Sequence, residues 1–210
     1  MDIYRLTTNE IEKTDITLFE KNMPERMKKA ERYKYENDRL LCIGGGYLIW
    51  NRLKLRDESE LKTNEFGKLY ADGYPDFSIS HSGKYVVFAA AEDTAPDSVI
   101  GIDIEEIRER NTNVARKVFT EKEMEWMKAD PLKRFHILWT RKESVMKALG
   151  KGFSIPFKSF EVVSGEKTSE AEEVTVVEGR RLYIRSMETD GYMVSVCSSS
   201  ETDELSIKRP

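Results

Sequence analysis

The sequence predicts an α+β chain made of two similar α/β halves, expected at residues 1–99 and 100–210. Three observations carry this expectation. The order strand, helices, paired strands occurs twice along the chain. Gly83-Lys-Tyr-Val-Val-Phe-Ala-Ala and Gly191-Tyr-Met-Val-Ser-Val-Cys-Ser are alike, each a glycine followed by a β-rich run. The stretches 39–55 and 132–149 carry apolar residues at helical spacing.

Taken in order, residues 2–6 read as a short strand and 15–20 as the start of a helix. Pro24 suits the first turn of another helix, expected to run to about Asp38. Residues 39–55 read as a mostly buried helix, and 62–76 as loop with one short strand. Residues 77–80 and 85–91 predict a hairpin around Ser82-Gly83-Lys84, and 98–105 a strand rich in β-branched residues. Thr120 and Glu123 form a capping box, so a helix starts there and breaks at Asp130-Pro131. Leu132, Phe135, Leu138, Val145 and Leu149 make one apolar stripe of a helix that Gly150 ends. Strands are expected at 160–163, 174–177, 181–186 and 192–198.

Composition narrows the function. Apolar residues at 39% suffice for a core, so global disorder is excluded. The longest uncharged run, Leu40 to Asn51, has twelve residues. A bilayer needs roughly 20, so no membrane role is expected. The start lacks the basic-then-apolar layout of a signal peptide. Cys42 and Cys197 form neither a CxxC pair nor a metal spacing, and read as buried thiols in a reducing cytoplasm. A net charge of −4 argues against a nucleic-acid partner. Yet residues 21–40 hold seven Lys/Arg against four acids, residues 133–151 six against one, and residues 165–178 five Glu against one Lys. Local basic segments in an acidic chain suit a small polyanion.

Four constellations could carry chemistry. In Gly101-Ile-Asp103-Ile-Glu105, the two acids share one strand face, where a hard divalent cation would relieve their repulsion; the plainer reading is two solvated surface acids. Glu143 and Lys147 share a helix face among Arg141, Lys142 and Lys151, as base and phosphate ligand or as a surface ion pair. Ser80-His81-Ser82-Gly83 is no hydrolase elbow, but its hydroxyls and imidazole could meet phosphate, or serve the turn alone. Cys42-Ile-Gly-Gly-Gly-Tyr47 matches no nucleotide loop and reads as close helix packing. The basic residues before it, Arg26, Lys28, Lys29 and Arg32, make a phosphate contact or a solvated face.

The order FSISHSG, GIDIE, FTEKE, WTRKESVMKALGKG resembles the signature of the Sfp-type 4′-phosphopantetheinyl transferases, closely over residues 77–157 and loosely elsewhere. The resemblance implies a pseudo-dimer in one chain with its site in the cleft between halves. It implies transfer of the phosphopantetheine arm of coenzyme A (CoA) to a serine of an apo acyl or peptidyl carrier protein, releasing adenosine 3′,5′-bisphosphate. Asp103, Glu105 and Glu143 would hold Mg²⁺. Glu143 would also take the serine proton, and Lys147 would assist at the phosphate. Arg26, Lys29, Arg32, Lys68, Ser80, His81, Lys142 and Lys147 would bind CoA. Glu123 matches the acid of the FTEKE segment. A monomer is expected. Leu41 and Cys42 stand where relatives often carry a basic residue and then Ser or Thr, with Arg39 able to compensate. Rival readings are a CoA- or nucleotide-binding regulator without catalysis, and an unrelated Mg²⁺-dependent phosphatase or nuclease.

Overall fold

The computed structural model describes residues 1–109, 113–164, 172–201 and 204–210. The acidic stretch noted above lies outside them over 165–171. The elements run β1 (Asp2–Thr7), α1 (Thr8–Lys13), α2 (Thr17–Asn22), α3 (Pro24–Glu31), α4 (Glu36–Leu53), β2 (Lys62–Thr63), β3 (Leu69–Tyr70), β4 (Phe77–Ser82), β5 (Tyr85–Ala90) and β6 (Ile100–Glu106). There follow α5 (Asn113–Val118), α6 (Glu121–Met127), α7 (Pro131–Leu149), β7 (Glu173–Val177), β8 (Arg180–Thr189), β9 (Tyr192–Ser198) and β10 (Ser206–Lys208).

Two four-stranded sheets result, ordered β10-β1-β5-β4 and β6-β9-β8-β7. The runs β1-β5-β4 and β6-β9-β8 are both antiparallel throughout and occupy matching positions. The glycines of the two similar segments do the same job. Gly83 and Gly191 have φ of 56° and 78°, opening the turns that feed β5 and β9. β10 crosses back and pairs in parallel with β1.

Alternation along the strands sorts their side chains into separate cores. Val86 and Phe88 face the long helix α4, while Tyr85, Val87 and Ala89 face the second sheet. There they meet Ile100, Ile102 and Ile104 of β6 and Val194 and Val196 of β9. Leu138, Val145 and Met146 of α7 pack with Leu182, Ile184 and Cys197 in a third cluster. Each sheet thus has its own helix on one face and shares a core on the other.

Close approach occurs at three glycines. A β-carbon on Gly44 of α4 would stand 2.2 Å from Ile11 Cδ1, and one on Gly46 would stand 2.6 Å from Arg26 Cγ. A β-carbon on Gly101 would stand 1.9 Å from the Ser144 carbonyl oxygen and 2.4 Å from the Ala148 nitrogen. β6 and α7 therefore touch backbone to backbone, which fixes the acids of one against the side chains of the other.

Several expectations need correction. The helix from Pro24 stops at Glu31, where the Arg32 and Tyr33 amides turn to Lys29 and Ala30 carbonyls three residues back. Residues 160–163 form no strand, because buried side chains consume their backbone. The Phe160 and Val162 carbonyls accept from Lys142 and Arg141, and the Val162 amide donates to Glu123. β10 was unforeseen, as was α1, although Thr7 and Glu10 make a full capping box.

Lys142 changes role. Its ammonium reaches Glu123 Oε1 at 2.9 Å and the carbonyls of Phe157 and Phe160 at 2.7 and 2.5 Å. Both charged side chains are fully buried, and all three ammonium hydrogens are used. Lys142 therefore ties α7 to α6 and the following loop, and does not face a ligand. Lys142→Met should cost about 3–5 kcal/mol in denaturant melts, because it strands the Glu123 carboxylate. The double variant Lys142→Met/Glu123→Leu should recover most of that loss.

Candidate active site

β4 and β6, edge strands of different sheets, lie side by side and are joined by side chains. The amides of Ile100, Ile102 and Glu106 donate to Asp76 Oδ2 at 2.8 Å, Ser78 Oγ at 3.1 Å and Ser82 Oγ at 3.1 Å. Each donor lies 24 residues after its acceptor. At the position between, Ser80 turns elsewhere: its hydroxyl donates to Asp103 Oδ1 at 2.7 Å. Lys147 Nζ donates to the same Asp103 oxygen at 2.7 Å and to Ser80 Oγ at 2.9 Å. Ser80, Asp103 and Lys147 thus form a closed triangle at the seam.

A cleft of about 580 Å³ opens beside it. α4 contributes Leu41, Cys42 and Gly45 to its wall, and α7 contributes Glu143 and Lys147. Arg26, Lys29 and His81 line it as well. The Arg26 side chain lies across Gly46 and is almost wholly buried. His81 is exposed on β4, but desolvation within the cleft first, and the Lys147 charge second, hold its imidazole below its ordinary pKa.

Glu143 is the most perturbed acid here. Burial, aided by the charge of Asp103 and more weakly Glu105, pushes its carboxyl up to about 7, with Lys147 opposing. Asp103, Glu105 and Glu143 thus gather three acids around the single ammonium of Lys147. Asp103 is buried, and its Oδ2 accepts no hydrogen bond among the described residues. An all-oxygen donor set with one buried, unpartnered oxygen fits a hard divalent cation. Among the described residues, however, no three His, Cys, Asp or Glu side chains are already gathered as a metal-binding group.

The structure brings Arg26, Lys29, Lys68, His81, Glu143 and Lys147 to the cleft. Ser80 and Asp103 sit just beneath, joined to it through Lys147. Lys68 lines the wall while its ammonium donates to Asp76 at 2.6 Å, the Ala148 carbonyl at 3.2 Å and the Ile100 carbonyl at 3.3 Å. A phosphate contact from Lys68 would give up one of the two long bonds. Arg32 is exposed at the end of α3 and does not line the cleft, nor does Lys142. Sequence reasoning missed Asp76 and Ser78 as partners of β6. The signal was the alternation of polar groups in Asp76-Phe-Ser-Ile-Ser-His-Ser82, which puts one hydrogen-bonding group on the same edge every second residue.

Comparison with known proteins places these features in one context. Residues 99–200 match the 4′-phosphopantetheinyl transferase superfamily. The chain is 32% identical to the 4′-phosphopantetheinyl transferase gsp of Aneurinibacillus migulanus, over 96% of this chain and 87% of that protein. It is 31% identical to the 4′-phosphopantetheinyl transferase Sfp of Bacillus subtilis strain 168, over 84% and 81%. The human L-aminoadipate-semialdehyde dehydrogenase-phosphopantetheinyl transferase is 26% identical over 66% of this chain and 51% of that protein.

Proposed function

The chain belongs to the 4′-phosphopantetheinyl transferase superfamily, and on that basis we propose that it moves the phosphopantetheine arm of CoA onto a serine of an apo acyl or peptidyl carrier protein. The observation that carries the reading is the pairing of Glu143, pushed up to about 7, with Lys147 on the wall of a cation-lined cleft. Arg26, Lys29 and His81 suit the phosphates of CoA.

In the proposed reaction the carrier serine oxygen bonds to the pyrophosphate phosphorus next to the pantetheine arm. The bond from that phosphorus to the bridging oxygen breaks, and adenosine 3′,5′-bisphosphate leaves. Glu143 accepts the serine proton, directly or through water. Lys147 sits where charge builds on the phosphoryl oxygens and the leaving group. Asp103, Glu105 and Glu143 would hold Mg²⁺. When bound, the ion neutralises charge on the pyrophosphate.

The reading takes residues 1–99 and 100–210 as the two halves, with the site in the cleft between them. It takes the chain as a monomer, because one chain supplies both walls. The reading assigns no part to nucleic acid or to a membrane. A cytoplasmic location is supported by Cys42 and Cys197, both buried and unpaired.

The test mixes the protein with CoA, Mg²⁺ and a panel of apo carriers, which are then weighed intact. One phosphopantetheine should be gained, and lost with EDTA or with Ser→Ala in the carrier. Unchanged carriers beside a protein that binds CoA would favour the regulator.

Glu143 also sets a stability expectation. Its folded pKa of about 7 lies above the ordinary 4.5, so the folded chain holds a proton that the unfolded chain releases first. In EDTA, wild type should therefore lose stability relative to Glu143→Gln as pH rises from 4.5 through about 7. Urea melts across that range check it; parallel curves would show that the Glu143 carboxyl titrates alike in the folded and unfolded chain.

A further inference from the structure

We propose that Ser82 is a positioning residue that presents Glu105 to the cation of this site. The inference rests on the reading of Asp103, Glu105 and Glu143 as cation ligands and extends it. Glu105 is a long side chain on a half-buried strand end. A long side chain has several rotamers, and each hydrogen bond that narrows them strengthens its hold on a ligand. Ser82 Oγ donates to Glu105 Oε2 at 3.1 Å. The same oxygen accepts the Glu106 amide at 3.1 Å. The second bond fixes the first: with its lone pair engaged by the backbone N–H, the hydroxyl hydrogen is aimed at the carboxylate. The backbone of β6 thus orients the serine of β4, and the serine orients a side chain of β6 next door.

Two neighbours on the same seam show what is particular to Ser82. Ser78 makes the matching bond to the Ile102 amide, but no bond from its hydroxyl to an acid of the site is seen among the described residues. Ser80 holds Asp103, but Lys147 holds that carboxylate too. Ser82 is the one of the three that combines a seam bond with a grip on Glu105.

The experiment measures Mn²⁺ binding to the CoA-saturated protein by calorimetry, for wild type, Ser82→Ala, Ser82→Thr and Ser78→Ala. Loss of an outer partner of a ligand typically weakens metal binding roughly 10–100-fold. Ser82→Ala should weaken Mn²⁺ binding by about tenfold, and Ser82→Thr, which keeps the hydroxyl, should restore it to within about threefold of wild type. Ser78→Ala removes the same kind of seam bond and should lose similar thermal stability, yet bind Mn²⁺ as wild type does. Unchanged binding in Ser82→Ala, or equal weakening in Ser78→Ala, overturns the proposal: the serines then act on the seam alone. A wild-type protein that binds CoA but neither Mn²⁺ nor Mg²⁺ overturns the cation reading itself, and the role of Ser82 with it.

Discussion

Replacing Asp103 by Asn should abolish phosphopantetheine transfer while leaving the fold intact. Asp103 is the buried centre of the site: one oxygen takes Lys147 and Ser80, and the other accepts no hydrogen bond among the described residues. Asn keeps an acceptor for Ser80 and Lys147 but removes the charge that a cation needs. The expected loss in kcat/KM is at least about 10³-fold, roughly 4 kcal/mol of transition-state stabilisation. Stability should move little, because the substitution also relieves repulsion against Glu143, whose carboxyl Asp103 helps to raise. A melting temperature within about 4 °C of wild type is expected. Carrier mass gain against time measures the first effect, and thermal unfolding the second. Transfer at half the wild-type rate would show that Asp103 carries no essential charge.

Gly101→Val should do the opposite and strike the fold first. The new β-carbon would fall 1.9 Å from a carbonyl oxygen and 2.4 Å from an amide nitrogen of α7. These are backbone atoms inside a 19-residue helix, which cannot turn aside as a side chain can. The helix must lift from β6, and Glu143 and Lys147 move with it. A loss of more than about 3 kcal/mol is expected in urea melts, with transfer lost in parallel. Gly45→Ala is the control. There a β-carbon would meet Ile79 Cδ1 at 3.4 Å, an ordinary contact, and the helix-favouring alanine should hold or raise stability. Equal stability of Gly101→Val and wild type would mean that the strand and helix are not in rigid contact.

Local determinants are legible in the sequence, though not all were read: Thr120 and Glu123 open α6 as expected, whereas the like box of Thr7 and Glu10 was missed. Asp130 caps α7, Pro131 opens it and Gly150, at φ 65°, closes it. Glu178 and Gly179, like Asp190 and Gly191, both have positive φ and make tight hairpin turns. Each depends on a few neighbouring residues. The misread strand at 160–163 is different. Its β-rich composition is real, but Glu123, Arg141 and Lys142 claim its backbone groups from elsewhere in the chain. No pattern within four residues can announce that.

The site divides in the same way. Residue types and spacing along the chain specified the chemistry: paired acids on β6, an acid and a lysine one turn apart on α7, and a polar strand ending in His81. They specified the family as well. Tertiary structure decided which partner each group takes. Lys142 and Lys147 lie five residues apart on one helix, yet one is sealed against Glu123 and the other bonds Asp103 at the cleft. Ser78, Ser80 and Ser82 are one residue type at one spacing, yet they serve a backbone amide, Asp103, and Glu105 in turn. The reason is physical. Charge and hydrogen-bonding capacity belong to the residue, whereas desolvation and choice of partner depend on what the rest of the chain packs against it.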